Sequence, residues 1–433
     1  MEHRSFRRWI NGILGLIILF TICPAEAYAQ ETGVGPETME WPGENTVTGW
    51  DTEQVFAGNA SGLDFYNRQL YAVDNGRGIL WILEAFPGGG LRLAPGYETG
   101  KKLQYLSRDS AKGPDAEGVT VCDKGYVYVA AERDNGSMGI NHQAVLQVDP
   151  RMEGDTLQAL QEWDLTESLP YTYLNRGVES IEWVPGTDMT GKLADQNMGK
   201  PFDIRDYPQA VSGGVFFLGL EMNDHIYAYI LNEDGSAVQI AELIPGLVGI
   251  SALDYDTEEN ILWAAADDRG QNKMAKIQFL AGEMHVTIVL PPKGVNPSHN
   301  NEGFAIAQAD MTQQDLRPVY RLRDGPATEA LSIGFLHYHY HRFSEEWVQS
   351  ESAHWHECEC GERQGEQTHS LVNLVTEAAE REPLTWEHTA VYYQSCGTCG
   401  YIDQDHIFYD GMAMDPQHLT TPVAAQIYGI PSM

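Results

Sequence analysis

Short runs of apolar residues, many alternating with polar ones, recur from Ser61 to Leu336, and turn residues separate them. The clearest pair lies in Gly113 to Asn135, where Val119 and Val121 are followed, after Asp123-Lys124-Gly125, by Tyr126, Tyr128 and Ala130. That pattern predicts a hairpin of two antiparallel strands. The start of its first strand and the end of its second lie side by side, which gathers Asp115 and Glu117 beside Glu132, Arg133 and Asp134. The same arrangement recurs four times: Asp64 with Asp74 and Arg77, Glu179 and Glu182 with Glu221 and Asp224, Asp254 with Asp267 and Arg269, and Glu302 with Arg323 and Asp324. No amphipathic helical pattern interrupts these units, so residues 46–336 are expected to be all-β. Degenerate repeats of short strands predict a β-propeller, five blades by this count with room for a sixth, each first strand lining a central channel.

Blades are expected from Ser61, Asp115, Val178, Ile250 and Asn301 onward. Thr46 to Ala57 reads as a strand that closes the ring by completing the last blade. Residues 30–45, rich in Gly and Pro, read as a flexible leader. The polar, turn-rich stretch Pro185 to Ala210 is expected over one face.

Residues 1–29 have the form of a secretion signal: Arg4, Arg7 and Arg8, an apolar core Ile10 to Ile22, and Ala27-Tyr28-Ala29 for cleavage. Thirteen apolar residues are short for a membrane span, so a secreted or cell-surface protein is expected, with no stable membrane insertion after cleavage. The net charge of −35 excludes nucleic acid as a direct partner. It suits cation binding, or solubility alone.

Ten acids (Asp74, Asp115, Glu117, Glu132, Glu179, Glu182, Asp254, Asp267, Glu302 and Asp324) are thus predicted at one end of one channel. Crowded carboxylates raise one another's pKa and destabilise a fold. Arg77, Arg133, Arg269 and Arg323 offer one remedy, as structural clamps; a hard cation such as calcium offers the other. His142, His225 and His299 are candidate proton donors, but each is solitary and reads more readily as a loop or packing residue. No Gly-x-Ser-x-Gly elbow is present.

DAEGV, GVESIEW and NEGFAIA, with AERDN after the first, resemble the secreted esterase-like, phytase-like β-propeller family over about residues 50–336. The resemblance implies a calcium-supported propeller with phosphomonoesterase activity. Its Glu-Gly blade starts match Glu117-Gly118 and Glu302-Gly303; Glu179 with Glu182 is a looser match, and Asp64 and Asp254 lack the pair. On that reading Asp115, Glu117, Glu179, Glu182, Asp254 and Glu302 are candidate calcium ligands. Glu117, Glu302, Arg133 and Arg269 are the candidate catalytic residues. The partner is then a small phosphorylated substrate, although a pocket basic enough for a heavily phosphorylated one is not evident. The alternative is a non-catalytic propeller that binds an extracellular or cell-wall ligand.

Residues 337–410 hold eight of the fourteen histidines and four of the six cysteines. Cys358-x-Cys360 and Cys396-x-x-Cys399 have the chemistry of one tetrahedral zinc site, with His341, His354, His356 and His369 as alternates. Disulfides are the competing reading in a secreted chain. HWHECECG and YYQSCGTCG resemble the Trp/His/Cys modules that end surface proteins of Gram-positive anaerobes, which implies an accessory module. Residues 411–433 read as a tail, and Cys122 as a buried packing residue.

Overall fold

The computed structural model describes residues 36–50, 55–56, 58–170, 172–325, 328–385 and 388–411. The stretch expected to be a signal (residues 1–29) and residues 412–433 lie outside these residues. From Glu37 to His337 the described chain forms five sheets of four or more strands. The first strands are Ala60–Tyr66, Pro114–Val121, Val178–Pro185, Ile250–Asp256 and Asn301–Ile306. Each contacts the next, and the fifth contacts the first, so they ring a central axis. The chain is a β-propeller.

Each sheet is sandwiched between two others, and the sequence shows it. Alternate residues of Gly214–Leu220 serve different neighbours: Phe217 packs toward the fourth sheet and Phe216 and Leu218 toward the second. Five apolar clusters fill the five gaps between sheets, including the gap between fifth and first. With both faces buried, strands read as nearly continuous apolar runs, and burying each large side chain contributes about 1.5–3 kcal/mol.

The ring is closed by the N-terminal segment. Thr48–Gly49 pairs antiparallel with Leu331–His337 and supplies the outermost strand of the fifth sheet. The residues just before it are not a free leader. Glu37–Met39 adds a parallel strand to the outer edge of the fourth sheet, and Trp41 packs against Trp263 with ring centroids 6.3 Å apart. Two outer edges need backbone partners, which outweighs the local Gly and Pro content. The stretch 185–210 also differs from its expected role as a polar cover. It holds a short helix, Gly186–Met189, and buries Met189, Leu193, Phe202 and Tyr207 in the cluster between sheets three and four.

Neighbouring first strands approach so closely that small residues are required between them. A Cβ on Gly118 would lie 2.7 Å from the Ile181 amide nitrogen, and one on Gly303 2.5 Å from the Ser61 carbonyl oxygen. Gly62, Ser180 and Ala252 hold the equivalent places. The glycine of the Glu-Gly pair is therefore a strand-contact residue. Gly118→Ala is expected to cost about 1–3 kcal/mol by overpacking, measured by urea unfolding. Gly139→Ala, where nothing lies within 4 Å, should be close to neutral; equal losses in the two variants would sink this account of the motif.

Candidate functional site: two tiers of carboxylates

Every one of the five first strands slips register against its partner at the same point. The shift falls between Ala60 and Leu63, Ala116 and Gly118, Val178 and Ser180, Ile250 and Ala252, and Asn301 and Gly303. These are β-bulges, which re-aim a side chain. Glu117, Glu179, Ser251 and Glu302 are the extra residues, and Ser61 lies within the first shift. They form an upper tier around the axis. Three residues on, about 10 Å along each strand, Asp64, Thr120, Glu182, Asp254 and Ala305 form a lower tier.

The lower tier is a set of clamps between sheets. Asp64 Oδ2 accepts from the Val121 amide at 2.6 Å and Thr120 Oγ1 from the Trp183 amide at 2.9 Å. Glu182 accepts from the Tyr255 amide and Asp254 from the Ile306 amide. In each case the donor is one residue past the equivalent position on the next first strand. Ala305 cannot accept, and the Phe65 amide bonds Asp64 Oδ1 instead at 2.6 Å. Burial pushes Asp64 up to about 7, against the pull of these amides. Glu182 and Asp254, expected among the metal ligands, lie in this lower tier and each bond a backbone amide, while the buried Glu182 Oε2 has no hydrogen-bond partner among the described residues.

The upper tier is built otherwise. Ser61 Oγ donates to the Glu117 carbonyl at 2.8 Å and to its Oε2 at 3.0 Å, and Asn75 donates to the same oxygen at 3.1 Å. Asp115, Glu117 and Glu132 are buried, and each offers a carboxylate oxygen within 4.8 Å of the others. Glu132 Oε1 accepts from the Gly177 amide at 2.6 Å. Glu302 takes one bond, from Asn300 at 2.7 Å, and its buried Oε2 has no hydrogen-bond partner. Burial first, then Asp115, Glu302 and Glu132, holds Glu117 well above the usual carboxylate range. Half-buried Glu179 is raised by desolvation, then by Glu117, Glu132 and Glu302. Burial lifts Glu132 to about 7 and, with Asp324, Glu302 to about 8. Carboxylates so placed fit an oxygen-coordinated cation.

Three of the four expected arginines are held by carboxylates. Arg133 Nε lies 2.6 Å from Asp115 and its Nη1 3.5 Å from Glu132. Arg269 pairs with Asp267 at 2.7 Å and with Glu221 at 2.8 Å, joining sheets three and four. Arg77 is held by Asp74 at 2.5 Å. Asp74 and Asp267 are thus turn and ion-pair residues. His142 sits against Glu162 at 3.3 Å and His225 against Glu242 at 2.7 Å, neither on the upper tier.

A basic cavity of about 130 Å³ was not evident from the sequence. Arg321, Arg323, His299 and Asn301 are among the residues that line it, and Glu329 is the one acid on its wall. Arg321 is buried with no carboxylate partner, stacked over Trp41 at 4.8 Å and Phe304 at 5.4 Å. Its Nη1 and Arg323 Nε have no hydrogen-bond partner. The only signal was Arg321-x-Arg323, two guanidinium groups on one face of one strand. Asn301 and Arg323 border the cavity, whereas the next residues in the chain, Glu302 and Asp324, belong to the acidic end.

In the tail, the four cysteines do not meet at one point. His339, His341, Cys358 and Cys360 form one group; His354, His369, Cys396 and Cys399 form another. His356 belongs to neither and stacks on Trp347 at 3.9 Å. All four thiols are free, and Cys122 is buried in a sheet-to-sheet cluster.

A carboxyl raised in the folded chain adds stability below its unfolded pKa, and that stability is lost as pH rises through the folded value. In chelator, thermal stability should therefore fall from about pH 5 toward pH 8 as Glu132 and Glu302 lose their protons. Calcium should cancel most of the fall contributed by the upper tier. Calorimetry across this range checks it; a chelated protein that grows steadily more stable toward pH 8 would contradict it.

No protein family matches the chain, and no curated protein matches it in sequence. Solved structures do. Glutaminyl cyclase from Myxococcus xanthus is 11% identical at a TM-score of 0.34, over 69% of this chain and 94% of that one. Virginiamycin B lyase from Staphylococcus aureus is 14% identical at 0.30, over 67% and 98%. A nidogen/laminin complex is 12% identical at 0.31, over 64% and 83%. At scores this low the likeness decides neither fold nor function.

Proposed function

We propose that the upper tier binds calcium and that the chain is a secreted, calcium-dependent hydrolase of a small phosphomonoester. The observation that carries this reading is the gathering of Asp115, Glu117 and Glu132 within 4.8 Å, with Glu179 and Glu302 on the same tier and an unpartnered Glu302 oxygen. Asp115, Glu117 and Glu132 would hold the ion, and Glu179 and Glu302 would face it from neighbouring strands. Calcium there supplies positive charge for phosphate oxygens and a more acidic bound water. Arg133, bonded to Asp115 and Glu132, is a positioning residue for the carboxylates. Arg269 has the same standing at the rim. The cavity lined by Arg321, Arg323 and His299 offers the anion-binding chemistry that the acidic tier lacks.

The second reading is a non-catalytic platform for an extracellular or cell-wall ligand. It is favoured by the occupation of Arg133 and Arg269 in ion pairs, which leaves neither free for a substrate. Glu117→Gln separates the two. As an enzyme, the variant should lose at least about 100-fold in kcat for p-nitrophenyl phosphate while its thermal midpoint in chelator is kept or raised. Wild-type protein that binds calcium and releases no phosphate would leave only the platform.

A further inference from the structure

The eight ligand candidates of the tail fall into two separate groups, and each group has the dimensions of a tetrahedral site. His339 Nε2 lies 3.4 Å from Cys358 Sγ, and His341 Nδ1 lies 3.3 Å from Cys360 Sγ. In the other group, His354 Nδ1 lies 3.8 Å from Cys396 Sγ. His369 Nδ1 lies 3.4 Å from both Cys399 Sγ and His354 Nδ1. Zinc with Zn–S of about 2.3 Å and Zn–N of about 2.0–2.1 Å has tetrahedral edges of about 3.3–3.8 Å. The spacings match that polyhedron.

The surroundings point the same way. His339 turns its other nitrogen to Asp315 at 2.7 Å, and His369 turns its other nitrogen to the Ser350 carbonyl at 2.9 Å. Such outer partners fix the ring and tautomer of a metal-bound histidine. Positive φ at Gly361 (92°) and Gly400 (76°) allows the tight turn after each cysteine pair. A disulfide gives no reason for two histidines at each pair. The tail also has little apolar core: Ala379, Ala390 and Tyr392 form its one buried cluster among the described residues. A module this poor in apolar burial needs a metal or a covalent link to hold its shape.

We infer that the tail binds two zinc ions, one at His339, His341, Cys358 and Cys360 and one at His354, His369, Cys396 and Cys399, each closed by four protein ligands. The ligands of the two sites alternate along the chain, yet each site keeps its own four. His354 belongs to the second site and sits on the strand Ala353–Glu357, which runs directly into Cys358 of the first. That hairpin is held by a different metal at each end. The first site also pins the tail to the propeller. Asp315 lies in the turn before Leu316–Arg323 of the fifth sheet, and the Tyr338 amide bonds the Asp315 carbonyl at 3.0 Å. Nothing here depends on calcium in the propeller.

Elemental analysis of the full mature chain, purified without chelator, should give two zinc ions. Cys360→Ser and Cys399→Ser should each leave one, and the double variant none. One zinc per chain that both single variants abolish would overturn the assignment in favour of a single four-cysteine site. Oxidised cysteines without zinc would overturn it in favour of disulfides. A variant tail that fails to fold is controlled by cobalt substitution of the intact chain. Two cobalt ions with charge-transfer bands of two thiolates each are expected; one ion with four thiolates contradicts the assignment. Asp315→Asn should weaken the first site about 10–100-fold and leave the second unchanged, read as zinc retention against a competing chelator.

Discussion

The propeller depends on contact between first strands that share no backbone ladder. Hydrogen bonds run within each sheet, and from one sheet to the next the chain must use side chains and close packing. Two devices serve this need. Apolar clusters fill the gaps between sheets. Near the axis, where gaps narrow to backbone contact, Gly62, Gly118 and Gly303 admit the neighbour. Lower-tier oxygens then reach across to the amides that lack a ladder partner. An unbonded amide in that position would cost about 1–3 kcal/mol, so acids and a threonine are used where water cannot reach.

The same geometry creates the candidate site. A bulge at one point of every first strand turns an extra residue to the axis, and three of the five turned residues are glutamates. With their oxygens only partly bonded, these carboxylates crowd one another, and burial raises their pKa values. The two tiers thus give opposite answers to one question. Asp64 and Thr120 each commit an oxygen to the amide of the next first strand, whereas Asp115, Glu117 and Glu132 bring their carboxylate oxygens within 4.8 Å of one another. The ion pairs of Arg133 and Arg269 belong to the scaffold around that cluster, while Arg321 and Arg323 face a separate cavity.

Histidine and cysteine side chains gather in the C-terminal module where the propeller gathers carboxylates. Arg363–Thr368 is exposed throughout, the one buried apolar cluster among the module's described residues is small, and histidine and cysteine side chains meet in two groups. Asp315 carries that arrangement onto the fifth sheet, at the end opposite the upper tier.

The sequence by itself determined the hairpin repeat, because strand periodicity and turn residues are local. It determined that acids cluster at one end, because a hairpin places its first and last residues together. It also marked residues 337–410 as a distinct module rich in histidine and cysteine. Only the tertiary structure separated Glu117, Glu179 and Glu302 from Asp64, Glu182 and Asp254. A bulge is a relation between two paired strands, and no residue type announces it. The basic cavity was likewise hidden, since Arg321 and His299 come from different strands and loops. The partition of the cysteines was illegible for the same reason. Cys358 follows one strand and Cys396 ends another, but which histidines meet them depends on how two sheets pack, a long-range matter that spacing along the chain does not encode.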